Sequence, residues 1–164
     1  MTRHGDARNP ADDAFAFAEL KAFRLETGST YAIVLHNPET RVISNRWFGD
    51  PGGDEGFRRV VDCIAANFET GAYSYWLADQ RYLSRSYAGS VDWLAESAMP
   101  RIIRAGLIRE AVVVPPDRGQ PEGYDVFETA SKALALIADG RVRGFTDLER
   151  AKRWLLHGQL PGDD

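Results

Sequence analysis

The chain has 164 residues, 44% of them hydrophobic and 27% charged, with a formal net charge of −4. That length suits one domain that buries its own core, and lysine and arginine are spread along it, which argues against the clustered basic face of a nucleic-acid binder. The single cysteine, Cys63, excludes an intrachain disulfide and fits a reducing cytosol, no apolar run reaches membrane length, and residues 1–14 hold no apolar signal segment.

Residues 1–14 are polar and read as a disordered tail, with one domain expected over 15–158 and a second tail over 159–164. Phe15, Phe17, Leu20 and Phe23 fit a short helix covering a sheet edge, their last residues leading into a first strand. "LKAFRLETGS" can supply an antiparallel strand turning at Thr27-Gly28-Ser29. Tyr31–Leu35 and Arg41–Trp47 are rich in β-branched and aromatic residues and flank an Asn-Pro turn initiator, so they read as a hairpin. "GDPGGDEG" breaks the chain, and Asp50 or Asp54 can cap a helix with Phe57, Val60, Val61, Ile64 and Phe68 on one face.

"AYSYWLAD" is the next strand. A helix follows through Val91, Leu94, Ala98, Ile102 and Ala105, with Ser90 as its cap, a kink or restart at Pro100 and a stop at Gly106. "REAVVVPPD" is a short continuous apolar run, the mark of a strand buried on both faces. After "PPDRGQPEG" come a helix through Val126, Phe127, Ala130, Leu134 and Ile137, the strand "RVRGF", and a helix opened by a Thr146/Glu149 capping box and stopped at Gly158. Strands alternating with helices mean parallel pairing, while the first strands must be antiparallel. The fold class is therefore α/β with a mixed β-sheet.

Several segments in order carry a resemblance. Trp47 and Gly49 close the hairpin, and "LADQR" (Leu77–Arg81) ends a strand. "VDWLAESAMPRIIRAGL" carries its Met99-Pro100 pair, and "FTDLERAKRWL" lies near the end. Over about residues 25–157 the chain resembles the uncharacterised bacterial STAS-like, or SpoIIAA-like, domain family. The resemblance implies a SpoIIAA-like mixed β-sheet with N-terminal antiparallel strands and helices packed on it. It is a fold shared with anti-sigma factor antagonists and, distantly, with CRAL-TRIO lipid-binding domains. In those antagonists a helix-start serine, in an Asp-Ser pair followed by glycine, is phosphorylated. Here the region reads Ser84-Arg85-Ser86-Tyr87-Ala88-Gly89-Ser90 without Asp-Ser, so that role transfers to no residue.

Ligands of open α/β sheets bind beyond the carboxyl ends of the parallel strands. The candidate binding residues are accordingly Asp79, Arg81, Tyr82, Ser84, Ser86, Tyr87 and Trp93. The plainer reading of Asp79 and Arg81, favoured by turn chemistry, is a pair that ties the following loop; Ser84 and Ser86 read more simply as loop hydroxyls. His4, His36 and His157 are scattered, and "GDPGG" lacks the spacing of a phosphate loop, so no catalytic or metal-binding constellation and no cofactor is expected. The functional expectation is a non-catalytic, cytoplasmic protein-interaction or regulatory module with a protein partner or a second copy, no nucleic acid and no membrane span. The alternative is a small apolar-ligand or lipid-binding domain with a pocket lined by Trp47, Trp76, Tyr82 and Trp93. A cavity of several hundred Å³ beside Asp79 would favour the alternative, and a filled core with an exposed apolar patch the interaction module.

Overall fold

The computed structural model describes residues 13–115 and 121–158. Of the tail expected over 1–14, residues 1–12 lie outside the described residues, as do loop residues 116–120 and the tail over 159–164, while Ala14 is buried. Six strands form one sheet in sequential order: β1 (Ala18–Arg24), β2 (Thr30–Asn37), β3 (Val42–Trp47), β4 (Tyr75–Asp79), β5 (Arg109–Val113) and β6 (Val142–Phe145). β1, β2 and β3 pair antiparallel, and β3 to β6 pair parallel. The chain thus has the mixed α/β sheet expected from its sequence.

Leu20 and Phe23 belong to β1, the antiparallel strand expected over "LKAFR", where Lys21 to Phe23 pair with Val34 to Ala32 along the edge. Ala14 and Phe15 are buried at the far side of the sheet with Val42 and Trp154, and Phe17 packs beside them. Their side chains fill a face, which explains why no single period ran through Phe15–Phe23.

The crossovers all step the same way across the sheet, so their helices share one face. These are α1 (Asp54–Phe68), the composite α2, and α3 (Pro121–Ile137). α2 runs through a 3-10 turn (Ala88–Ser90), an α turn (Val91–Trp93), a π turn (Leu94–Ala98) and an α segment (Met99–Arg104). Pro100 cannot donate to the turn before it, and the widened π turn lies directly ahead of it, the restart expected there. A fourth helix, α4 (Leu148–His157), follows the last strand and packs on the opposite face through Ala151, Trp154 and Leu155. Arg109 of β5 donates to the carbonyls of Leu155 and Leu156 at the end of α4, where Gly158 takes the left-handed conformation (φ 71°).

Three expected caps fall differently. Gly53 precedes α1 without a side-chain cap, while Asp50 accepts from the Gly52 N–H in the turn before it. Ser90 is buried and bonds sideways, donating to Asp54 Oδ1 (2.8 Å) and accepting from Arg58 Nε (3.1 Å), so it joins α2 to α1. Asp147 caps α4 by accepting from the Glu149 N–H (2.9 Å), one residue after the expected Thr146.

The start of α1 is fixed tightly. Tyr31 donates to the Gly56 carbonyl, and a Cβ at Gly56 would lie 2.1 Å from the Pro51 carbonyl oxygen. Gly56→Ala is expected to cost about 1–3 kcal/mol by overpacking, read as a lower urea midpoint. Gly140→Ala, where a Cβ meets nothing within 4 Å, is expected to leave the midpoint near wild type.

Candidate functional site

The exit of β4 is built from one buried carboxylate. Asp79, 3% exposed, accepts from both Arg81 Nε (2.9 Å) and Nη2 (2.8 Å) and from the Arg81 backbone N–H (3.1 Å). A two-point guanidinium–carboxylate pair is directional as well as charged, so it fixes the first turn after the strand. The hydrogen bond to Asp79 raises the Arg81 pKa above its ordinary value. The next bonds are backbone ones: Gln80 N–H to Val113, Leu83 N–H to Gln80, Gly49 N–H to Tyr82 and Ser84 N–H to Gly49. Gly49 and Leu83 form a parallel bridge, so β3 and the loop continue side by side beyond the sheet.

At its other end the loop is held by Tyr87. This ring is fully buried, lies flat on Phe57 (4.4 Å, 8°) and donates to Gln80 Oε1 (3.0 Å). Burial pushes its phenol well above the ordinary tyrosine range. Between the anchors, Tyr82 is 60% exposed with the Arg81 guanidinium over its ring (5.2 Å); on the adjoining chain after β3, Phe48, next to Gly49, is 42% exposed. Arg85 bridges to Asp50 at 3.3 Å across the same tip.

The outer sheet face continues this exposed surface. α4 and the segment around Phe15 cover β4 to β6 and the start of β3. Ile33 and Leu35, paired with Arg46 and Ser44, remain half-buried and outside both cores, and Leu20 of the edge strand is exposed.

The candidate residues therefore separate. Arg81 and Tyr82 share the exposed tip, and Ser84 is exposed beside Gly49. Ser86 turns to Thr129 of α3, oxygen to oxygen at 2.6 Å, and also accepts from the Ala88 N–H. Asp79 and Tyr87 are buried anchors. Trp93 is half-buried beneath the Arg58 guanidinium (5.2 Å) and stands apart from the tip.

A second polar group lies on the inner sheet face, and sequence reasoning did not single it out. In register across the parallel strands stand Ile43, Trp76, Glu110 and Val142. Glu110 is 4% exposed, and among the described residues nothing donates to its Oε1. It lines a partly enclosed cavity of about 40 Å³ with Asn45, Trp76, Gln80, Tyr87, Met99 and Ala133 among its walls. Trp76 Nε1 donates to Asn45 Oδ1 (2.7 Å). Burial away from water disfavours the charged form, and the Glu110 carboxyl is pushed up to about 8. The sequence signal was a carboxylate at the second position of "REAVVV", which looks like a solvated strand start until Trp76, Val142 and α3 cover it. Of the pocket expected from aromatics, Trp47 and Trp76 line this cavity, while Tyr82 and Trp93 do not.

No protein-family model matches the chain, and no curated protein matches it. Among solved structures it is similar to the anti-sigma factor antagonist SpoIIAA in its unphosphorylated form. The two share 16% sequence identity and a TM-score of 0.49, over 89% of this chain and 100% of that chain.

Glu110 sets a pH dependence. The native state keeps its proton up to about pH 8, whereas an unfolded chain releases it near the ordinary 4.5. Between these values the native state binds more protons, so its stability falls as pH rises, by up to about 1.4 kcal/mol per pH unit. Glu110→Gln keeps the shape without the ionisation. The advantage of E110Q over wild type in urea denaturation is expected to grow from pH 5 to pH 8 and then level off.

Proposed function

We propose that this chain is a non-catalytic protein-interaction or regulatory module, acting in the cytoplasm, whose partner docks on the tip formed by Arg81, Tyr82 and Phe48. The observation that carries the reading is the exposure of two neighbouring aromatic rings: Tyr82, on a segment held at both ends by buried groups, and Phe48, on the chain after β3 whose next residue, Gly49, is hydrogen-bonded to Tyr82. Aromatic and arginine side chains dominate the energetics of protein interfaces, and a partner gains most from side chains already ordered before contact. Asp79 and Tyr87 hold the tip, and the neighbouring apolar strip of Ile33, Leu35 and Leu20 offers area beyond it.

The apolar-ligand alternative receives less support. The inner cavity, at about 40 Å³, is far below the several hundred Å³ that a lipid or drug-sized ligand fills.

The reading is tested by affinity capture from the native host, comparing wild type with a Phe48→Ser, Tyr82→Ser double variant. It expects a partner retained by wild type and lost about tenfold or more by a variant of unchanged melting temperature. Sedimentation of both proteins identifies the case in which the partner is a second copy. Equal retention by both proteins, or no specific partner with no self-association, overturns the reading.

A further inference from the structure

Every polar side chain at the inner cavity has its bond except one. Trp76 donates to Asn45 and Tyr87 donates to Gln80, while Glu110 Oε1 has no donor among the described residues. In a row otherwise filled by Ile43, Trp76 and Val142, an aliphatic side chain at position 110 would pack without that cost. The neighbourhood is also built to leave room. α3 presents the small Ala130 and Ala133 to this space, and the π turn of α2 brings Leu94 to it. Such turns gather at functional sites.

The chemistry of the walls selects the ligand. In its ionised form the unmet atom only accepts, so a ligand that stabilises that form must bring an N–H or O–H. No lysine or arginine lines the cavity, so an anion would meet a carboxyl with no cation to balance it. A single positive charge would leave the site neutral. The volume of about 40 Å³ takes about three water-sized groups. The half-buried Leu134, Ile137 and Val142 give the remainder of a chain an apolar route outward.

We propose that the cavity binds a primary alkylammonium, its nitrogen donating to the Glu110 carboxylate and its first carbons lying among the apolar walls. Below about pH 8 the carboxyl is protonated beforehand, so binding releases that proton to solvent while the ammonium keeps its own. Tyr87 is the other ionisable side chain at the cavity. α1, α2, α3 and β6 contribute uncharged residues to it.

The test is an NMR titration of the intact protein with ethylammonium chloride, following the Trp76 indole N–H. Sodium chloride at equal ionic strength and ethanol serve as the salt and neutral arms. Saturable movement of the Trp76 signal is expected with ethylammonium alone, tightening as pH rises from 6 to 8. Affinity is expected to fall about tenfold or more in Glu110→Gln, whose amide spectrum shows whether it stays folded. A second variant, Ala133→Val, narrows the cavity and keeps the carboxyl; it is expected to weaken binding too. Equal affinity in wild type and E110Q, an equal response to ethanol, or no response at all overturns the proposal and leaves the cavity to water.

Discussion

Phe57 lies flat between two other rings. Trp47, the last residue of β3, stacks on one side at 5.1 Å, and Tyr87 on the other at 4.4 Å, both within 8° of parallel. The three rings come from the end of a strand, the start of a helix and the end of a loop. No local propensity joins those places; burial of three large rings does. Tyr31 extends the column on the Trp47 side and also donates to the backbone of α1. The column sets the height at which α1 begins above the sheet, and through Tyr87 it fixes where the loop after β4 must finish.

The loop is consequently held by two unlike devices. The Asp79–Arg81 pair fixes its start by charge and geometry, and Tyr87 fixes its end by stacking and a bond to Gln80. Between them the chain runs beside Gly49 with backbone bonds in both directions. Ordering of this kind lowers the entropy lost on docking, and it lets exposed Phe48 and Tyr82 remain exposed without collapsing onto the core. The outer face of the antiparallel strands has no comparable cover among the described residues, so the exposed apolar surface gathers on one side of the molecule.

Glu110 makes the opposite arrangement on the inner face. The tip is polar chemistry brought outward; the cavity is a carboxyl drawn inward, at a cost in stability that rises with pH. Local rules of sequence are most often broken where a protein does something besides fold. This position breaks the plainest of them, an ionisable residue in a core row.

Much of the architecture was legible because its periods are local. Phe57, Val60, Val61, Ile64 and Phe68 declare α1, the apolar run after Glu110 declares a central strand, and Pro100 marks the interruption of α2. The caps were less legible, since Ser90 and Thr146 are good cap types at plausible positions, yet Ser90 serves Asp54 and Arg58 across helices. The location of the tip after β4 followed from the strand order. The split between anchors and surface did not, because Tyr82 and Tyr87 are the same residue type five positions apart, distinguished by the Phe57 ring and the Gln80 amide that hold Tyr87. Glu110 was hidden for a similar reason: its depth comes from β4, β6 and α3, all distant in the chain.

A docking tip of this kind requires the segment from Gln80 to Tyr87 to be ordered before any partner arrives. Backbone amide order parameters of the free protein test it most directly. Values near those of β4 and β5, about 0.85, are expected through Tyr82 and Ser84. Values below about 0.6 across the tip, with the strands rigid, would contradict it.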